Sequence, residues 1–288
     1  MKKKFGLLLL LGAILVSITT ACSKNTSKPK TSPEPSASSL INAKFNSSLA
    51  NGHFTQTINS DEMSQKSKSE GLFKDKGDVT NLTYTLTQKK KSQTEQMWLT
   101  KKDMYLLLEQ NKGHWIKNSA NANTFDPDQV KERFNPATFK KINKALAKKA
   151  TVQKKNGNYD ISFNGTDSNL WNAVNPLVID AMNTPGSQNM QVARLVKSAQ
   201  VQNLKVTYLI DPTTKNVESM TFKAQYIAGG KYNFTWTLTY DQLGQHADLA
   251  VPADIQKNAI DAEEIKKAQA EQNLSLIHIS EPTRLQLI

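Results

Sequence analysis

The sequence predicts an α+β fold: a curved antiparallel β-sheet (a half-barrel) whose concave face is covered by helices, in a single domain. Three observations carry that expectation. Apolar residues alternate with threonine or charge over several separate stretches, the period of a strand with one buried face. Between them lie segments with apolar residues three and four apart, introduced by Asp-Pro and Asn-Pro steps that suit a helix start. The 288 residues include one cysteine, so stability has to come from a buried core rather than from disulfides.

The chain opens with an export signal over residues 1–21. Lys2, Lys3 and Lys4 precede an apolar run from Phe5 to Ile18, and Ser17 to Ala21 supply small or short residues ahead of Cys22. That run is shorter than the roughly 18 apolar residues a spanning helix requires. Cys22 after Ala21 resembles the lipobox of bacterial lipoproteins, with Thr19 as a departure from it. The resemblance implies cleavage before Cys22, a diacylglycerol thioether on its sulfur, and a membrane anchor on the extracytoplasmic face, in a Gram-positive envelope. Residues 22–39 are then a lipidated flexible tether. From Ser23 to Ser39 there is no large apolar side chain to offset ordering entropy, and about 17 residues at roughly 3.3 Å each reach about 50 Å.

The folded domain is expected over residues 40–272. Leu40, Ile41, Ala43, Phe45 and Leu49 have mostly helical spacing, and Asn51-Gly52 stops that helix. Period-two strands follow over His53–Ile58, Asn81–Thr87 and Gln96–Leu108, with turns at Lys76-Gly77-Asp78, Lys89-Lys90-Lys91 and Lys101-Lys102-Asp103, giving a meander. Asn111-Lys112-Gly113 turns the chain into His114–Lys117. Asp126-Pro127 and Asn135-Pro136 begin two helices, the second carrying Phe139, Ile142 and Leu146. A strand ends at Lys155, Asn156-Gly157 makes a tight turn, and Tyr159, Ile161 and Phe163 continue the sheet.

Thr166, Asp167 or Ser168 caps a helix striped by Leu170, Val174, Leu177 and Ala181, with Pro176 expected to kink it. Pro185-Gly186 ends that segment, and Met190, Ala193, Leu195 and Val196 suggest a further short helix. Sheet resumes with Leu204, Val206, Tyr208 and Ile210, a loop over Asp211–Asn216, then Met220, Phe222, Ala224 and Tyr226, and after Gly229-Gly230, Phe234, Trp236, Leu238 and Tyr240. A charged helix is expected from Ala253 to about Gln272. Residues 273–288 resemble the conceptual translation of a sequencing adapter and are expected to be a non-native tail.

Composition narrows the partners. The net charge is +12; without Lys2, Lys3, Lys4, Glu281 and Arg284, 33 basic and 24 acidic residues leave +9. A basic exterior favours anionic neighbours such as lipid headgroups or wall polymers. Only Arg133 and Arg194 are arginines before the tail, which argues against nucleic acid, where arginine forks dominate recognition. His53, His114 and His246 are isolated and the one cysteine is the lipid site, so no metal site is expected. No G-x-S-x-G, P-loop or dinucleotide pattern occurs, Gly186-Ser187 has no nucleophile frame, and Asp160, Asp167 and Asp180 have no pairing that spacing defines. No cofactor, no enzymatic activity and a monomer are expected.

Gln96–Leu106 followed by His114–Lys117, and Tyr208–Asp211 through Tyr226 with Tyr240 and Val251-Pro252, resemble strands of uncharacterised Gram-positive lipoproteins. Those are similar in fold to lipoprotein carriers and mycobacterial glycolipid-binding lipoproteins. The resemblance implies a half-barrel closed by helices around a hydrophobic cavity, and a role in binding or shuttling a lipidic ligand. Trp98, Tyr105, Trp115, Trp171, Phe234 and Trp236 are the candidate cavity residues. The alternative is a surface interaction module with a solid interior that contacts an anionic wall polymer or a protein partner.

Overall fold

Threonine on one side and large apolar side chains on the other give strands that pair flat and bury one face, and twelve of them form one sheet. The computed structural model describes residues 35–42, 49–60, 62–108, 113–119, 131–182 and 190–269. The signal, Cys22, the turns at Asn111-Lys112 and Pro185-Gly186, the Asp126-Pro127 cap and the tail from 273 lie outside the described residues.

Strands β1 (Asn51–Ser60), β2 (Gln65–Lys74), β3 (Val79–Gln88), β4 (Lys91–Leu99), β5 (Asp103–Leu108) and β6 (Ile116–Ser119) form an antiparallel meander. On the other side of β1 lie β11 (Tyr232–Asp241), β10 (Val217–Ala228), β9 (Gln200–Ile210), β8 (Asn158–Gly165) and the edge strand β7 (Thr151–Lys155). The seam is the β1–β11 pairing, with Phe54 opposite Tyr240 and Ile58 opposite Trp236. A two-residue strand β12 (Ile260–Asp261) adds parallel to β6 at the far edge. The open, curved α+β architecture expected from the sequence is the one observed.

The helices cover one face. A short α1 (Ala37–Asn42) starts three residues before the expected boundary, because Ser36 accepts from the amide of Ser39 at 3.2 Å and so caps it. Asn135 caps α2 (Pro136–Leu146) by accepting from the Ala137 amide at 2.9 Å, and Asp167 caps α3 (Ser168–Met182) through the Leu170 amide at 2.8 Å. α4 (Met190–Lys197) completes the layer. Phe139, Ile142, Leu146, Leu170, Val174, Leu177 and Val178 are fully buried against Phe54, Tyr208, Phe222, Trp236 and Tyr240 from the sheet. Each such side chain contributes roughly 1.5–3 kcal/mol by leaving water.

The segment after β11 departs from expectation. The single helix expected from Ala253 to Gln272 is divided: α5 (Ala253–Asn258) stops, β12 pairs with β6, and residues 262–269 are helical again. The cause is the unpaired rim of β6, where the Ile260 amide donates to the Trp115 carbonyl at 2.8 Å.

Candidate functional site

Most of the covered face is filled. Trp236, Tyr208, Phe222 and Tyr240 have no exposed surface, and their rings meet Phe139 and one another at centroid distances of 5.8–6.4 Å. Packing opens towards one end of the sheet, where the β1–β2 and β10–β11 turns lie. There a cavity of about 280 Å³ lies between the sheet and the helices. Ile58, Ser60, Ser67, Tyr84, Tyr232 and Phe234 line it from the strands, Met63 from the β1–β2 turn, and Ala181, Met182, Val192 and Leu195 from α3 and α4.

Local sequence explains the space. Ser60 and Ser67 are small and sit where Phe54 and Phe73 stand further along the same strands. Ala181 and Met182 end α3 with one side chain too short, and one too flexible, to fill the gap. The inner wall is aromatic: Phe234 stacks on Tyr226 at 5.3 Å, Tyr226 meets Trp171 at 5.5 Å, and the Tyr226 hydroxyl lies 3.4 Å from Met182 Sδ. Burial holds the Tyr226 hydroxyl protonated, its pKa pushed well above the usual phenol value. At the rim, Glu62 accepts from the amide of Asn233 at 3.3 Å and from its side-chain nitrogen, and from Ser60 Oγ at 3.3 Å. The Asn233 bonds, chiefly, hold its carboxyl below the ordinary range. Gly229, at a positive φ of 60°, lets the β10–β11 turn pass beneath Leu195, 3.4 Å from where a Cβ would stand.

The six candidate residues divide. Phe234 lines the cavity and Trp171 lies one ring behind it. Trp236 is two residues from Phe234 on the same face, but it is solid core. Trp98, Tyr105 and Trp115 are on the opposite face. Met97 joins the main core while its neighbour Trp98 stands across from Tyr105 in a second cluster with Val251 and Ile255 from the returning segment. The correction follows from strand alternation: adjacent residues point to opposite faces, and here both faces are apolar. Spacing gives no sign of Ser60, Ser67, Tyr84 or Tyr232 as cavity residues.

A buried ion pair lies elsewhere beneath α3. Arg133 Nη2 is 2.7 Å from Asp180 Oδ2, with the guanidinium 5.2 Å above the Phe54 ring. Burial pushes the Asp180 carboxyl up to about 6, against the pull of Arg133. On the outer face, a polar furrow of about 350 Å³ is lined by Lys155, Asn158, Asp160, Ser162, Lys205 and Thr207. No group of three or more metal-ligating side chains occurs among the described residues, and none of their helices is long and apolar enough to cross a membrane.

A family of unknown function, DUF6612, matches residues 38–260. The chain belongs to this family. The DUF6612 match begins inside α1 and ends in β12, so it spans the sheet, the covering helices and the cavity alike. No curated protein matches the chain. Among solved structures, Rv2717c from M. tuberculosis is similar at 9% identity over 70% of this chain and 98% of that one, with a TM-score of 0.21, an overlap that carries no weight for fold or function.

Proposed function

We propose that this member of DUF6612 is an extracytoplasmic lipoprotein, anchored through Cys22, that binds an apolar ligand in the end cavity and performs no covalent step. One observation carries the reading. On the face where Trp236, Tyr208, Phe222 and Tyr240 are packed solid, one end opens into a cavity lined by Ile58, Leu195, Met182 and Phe234 that reaches the surface. A void that is apolar and wide is poorly filled by water and well filled by hydrocarbon.

Size limits the occupant. At about 30 Å³ per water-sized unit, 280 Å³ accommodates on the order of ten heavy atoms. That suits the end of one acyl or prenyl chain, with its polar group left at the rim beside Ser60, Gln65 and Tyr232. It does not suit both chains of a diacyl lipid. Native mass spectrometry of protein purified from its own membrane is expected to show a co-purifying single-chain amphiphile. Protein that emerges free of ligand and takes up no fluorescent fatty acid would overturn the reading. Detergent-phase partitioning lost in Cys22→Ser tests the anchor separately.

A second reading, contact with an anionic envelope polymer, is favoured by the outer face. Lys205 stands directly opposite Lys223 in the β9–β10 ladder, a like-charge pairing that favours an anion between them, and Lys205 borders the polar furrow. Binding to wall fractions that disappears near physiological ionic strength is its expected signature.

A further inference from the structure

The cavity opens at one end of the sheet, and that end is built unlike the other. Contacts join its parts in sequence. The amide of Lys89, in the β3–β4 turn, donates to the Ser64 carbonyl at 3.2 Å, next to Met63. Glu62, on the other side of Met63, is bonded to Asn233 at the start of β11. The β10–β11 turn in turn passes beneath Leu195 of α4. Three turns and one helix therefore form a continuous rim.

Two properties coincide on this rim. Met63 and Met190 are 40% and 73% exposed, two of the three large apolar side chains that are exposed among the described residues. On the same turns and helix stand six exposed cations: Lys89 and Lys90 in the β3–β4 turn, Lys91 at the start of β4, Lys231 in the β10–β11 turn, and Arg194 and Lys197 on α4. Carboxylates at this end among the described residues are Glu62, occupied by Asn233 and Ser60, Asp167, paired with Lys149 at 3.2 Å, and Glu95, opposite Tyr84 in the β3–β4 ladder. At the other end of the strands the signs are mixed, with Asp75, Asp78 and Asp211 beside Lys76, Lys101 and Lys215, and Asp78 bridging Lys101 and Lys131 at 2.8 and 2.7 Å.

The β3–β4 turn shows the same emphasis. Lys89 and Lys90 hold φ of 48° and 69°, in a two-residue hairpin turn where Asn-Gly is favoured. Charge occupies positions where local stability favours other residues.

We propose that this rim docks on an anionic lipid surface, Met63 and Met190 entering the headgroup layer while the six cations lie against lipid phosphates, so that the cavity mouth faces the bilayer. The inference rests on the reading of the cavity as an apolar site, since docking there gives a single-chain ligand a path out of the membrane that avoids water. Methionine is suited to this position because a flexible thioether adapts to an irregular apolar boundary. Basic side chains at a surface are drawn to anionic headgroups over about a Debye length.

The full lipidated chain in vesicles tests it. Acylation occupies the thiol of Cys22, so Met190→Cys can carry an environment-sensitive fluorophore, with Thr213→Cys in the loop at the opposite end as control. In vesicles containing phosphatidylglycerol, the probe at 190 is expected to shift to the blue and to be quenched by brominated acyl chains, and the probe at 213 is not. The shift is expected to shrink in pure phosphatidylcholine, at high salt, and in Lys89→Glu with Lys231→Glu. Equal responses at 190 and 213, or a response at 190 indifferent to lipid charge, would overturn the docking. Uptake of a fluorescent fatty acid from solution separates the two ideas: the lysine variants are expected to retain it. A protein that inserts its rim but takes up no fatty acid would leave docking standing and remove the ligand.

Discussion

Trp236 and Phe234 lie two residues apart on β11 and point to the same face, yet one is sealed in solid core and the other lines an open cavity. The strand is equally regular at both. What differs is the opposing layer. Over Trp236, α2 and α3 present their branched and aromatic side chains in successive turns, whereas over Phe234 the cover is the end of α3 and one side of α4. The floor changes too, from Phe54 and Phe73 to Ser60 and Ser67, so sheet and helices together decide where core becomes a site.

Trp236→Ala is expected to break the solid region outright, at about 3–5 kcal/mol in urea denaturation. Trp236→Phe should cost far less, since the indole Nε1 has no hydrogen-bond partner among the described residues and its loss leaves nothing unpaired. The buried ion pair is expected to give a pH dependence next in size. Asp180 titrates at about 6 when folded, above its unfolded value, so its contribution is full at low pH and is lost as pH rises from about 4 to about 6, by roughly 3 kcal/mol. Across that window, urea midpoints should fall in the native protein relative to Asp180→Asn, in which the carboxylates held low, such as Glu62, still titrate in the opposite sense.

Trp98→Ala strikes the separate cluster on the outer face. A loss of about 2–3 kcal/mol with fatty-acid uptake unchanged is expected; uptake lost in step with stability would mean that the two faces are coupled. Leu195→Trp should have the smallest effect on stability, under about 1.5 kcal/mol because an existing void receives the added ring, and it should abolish uptake. A Leu195→Trp protein that still binds fatty acid would place the ligand elsewhere.

Residues with a strong period made the fold legible. The Phe234–Tyr240 alternation and the Asn135-Pro136 cap appear as expected, as does the Asn156-Gly157 turn, with both residues at positive φ. β2 is not legible, because its inward positions are Ser67, Ser69, Gly71 and Phe73, with one large apolar side chain instead of a hydrophobic row. Gly71 is fixed by the register instead: a Cβ there would lie 1.9 Å from the Asn81 carbonyl oxygen. The site was harder still. A cavity is defined by side chains too small to fill space, and small side chains give no periodic signal; the candidate residues were large aromatics, which most often complete a core. Which face Trp98 occupies depended on the returning segment at Val251 and Ile255, whose path the sequence did not reveal.

The seam between β1 and β11 has a consequence in time. His53 is bonded to Asp241 at 2.7 Å across 188 positions of chain, and two ten-residue strands meet there. The meander from β1 to β6 can pair locally, but β1 has its second neighbour only after nearly the whole domain is available. Long-range pairing of this kind slows folding, because the loop must close before the contacts that reward closure exist. Half of the sheet should thus be a poor folding unit, and the complete domain should refold late and in one step, with the join at its middle as the last part to form.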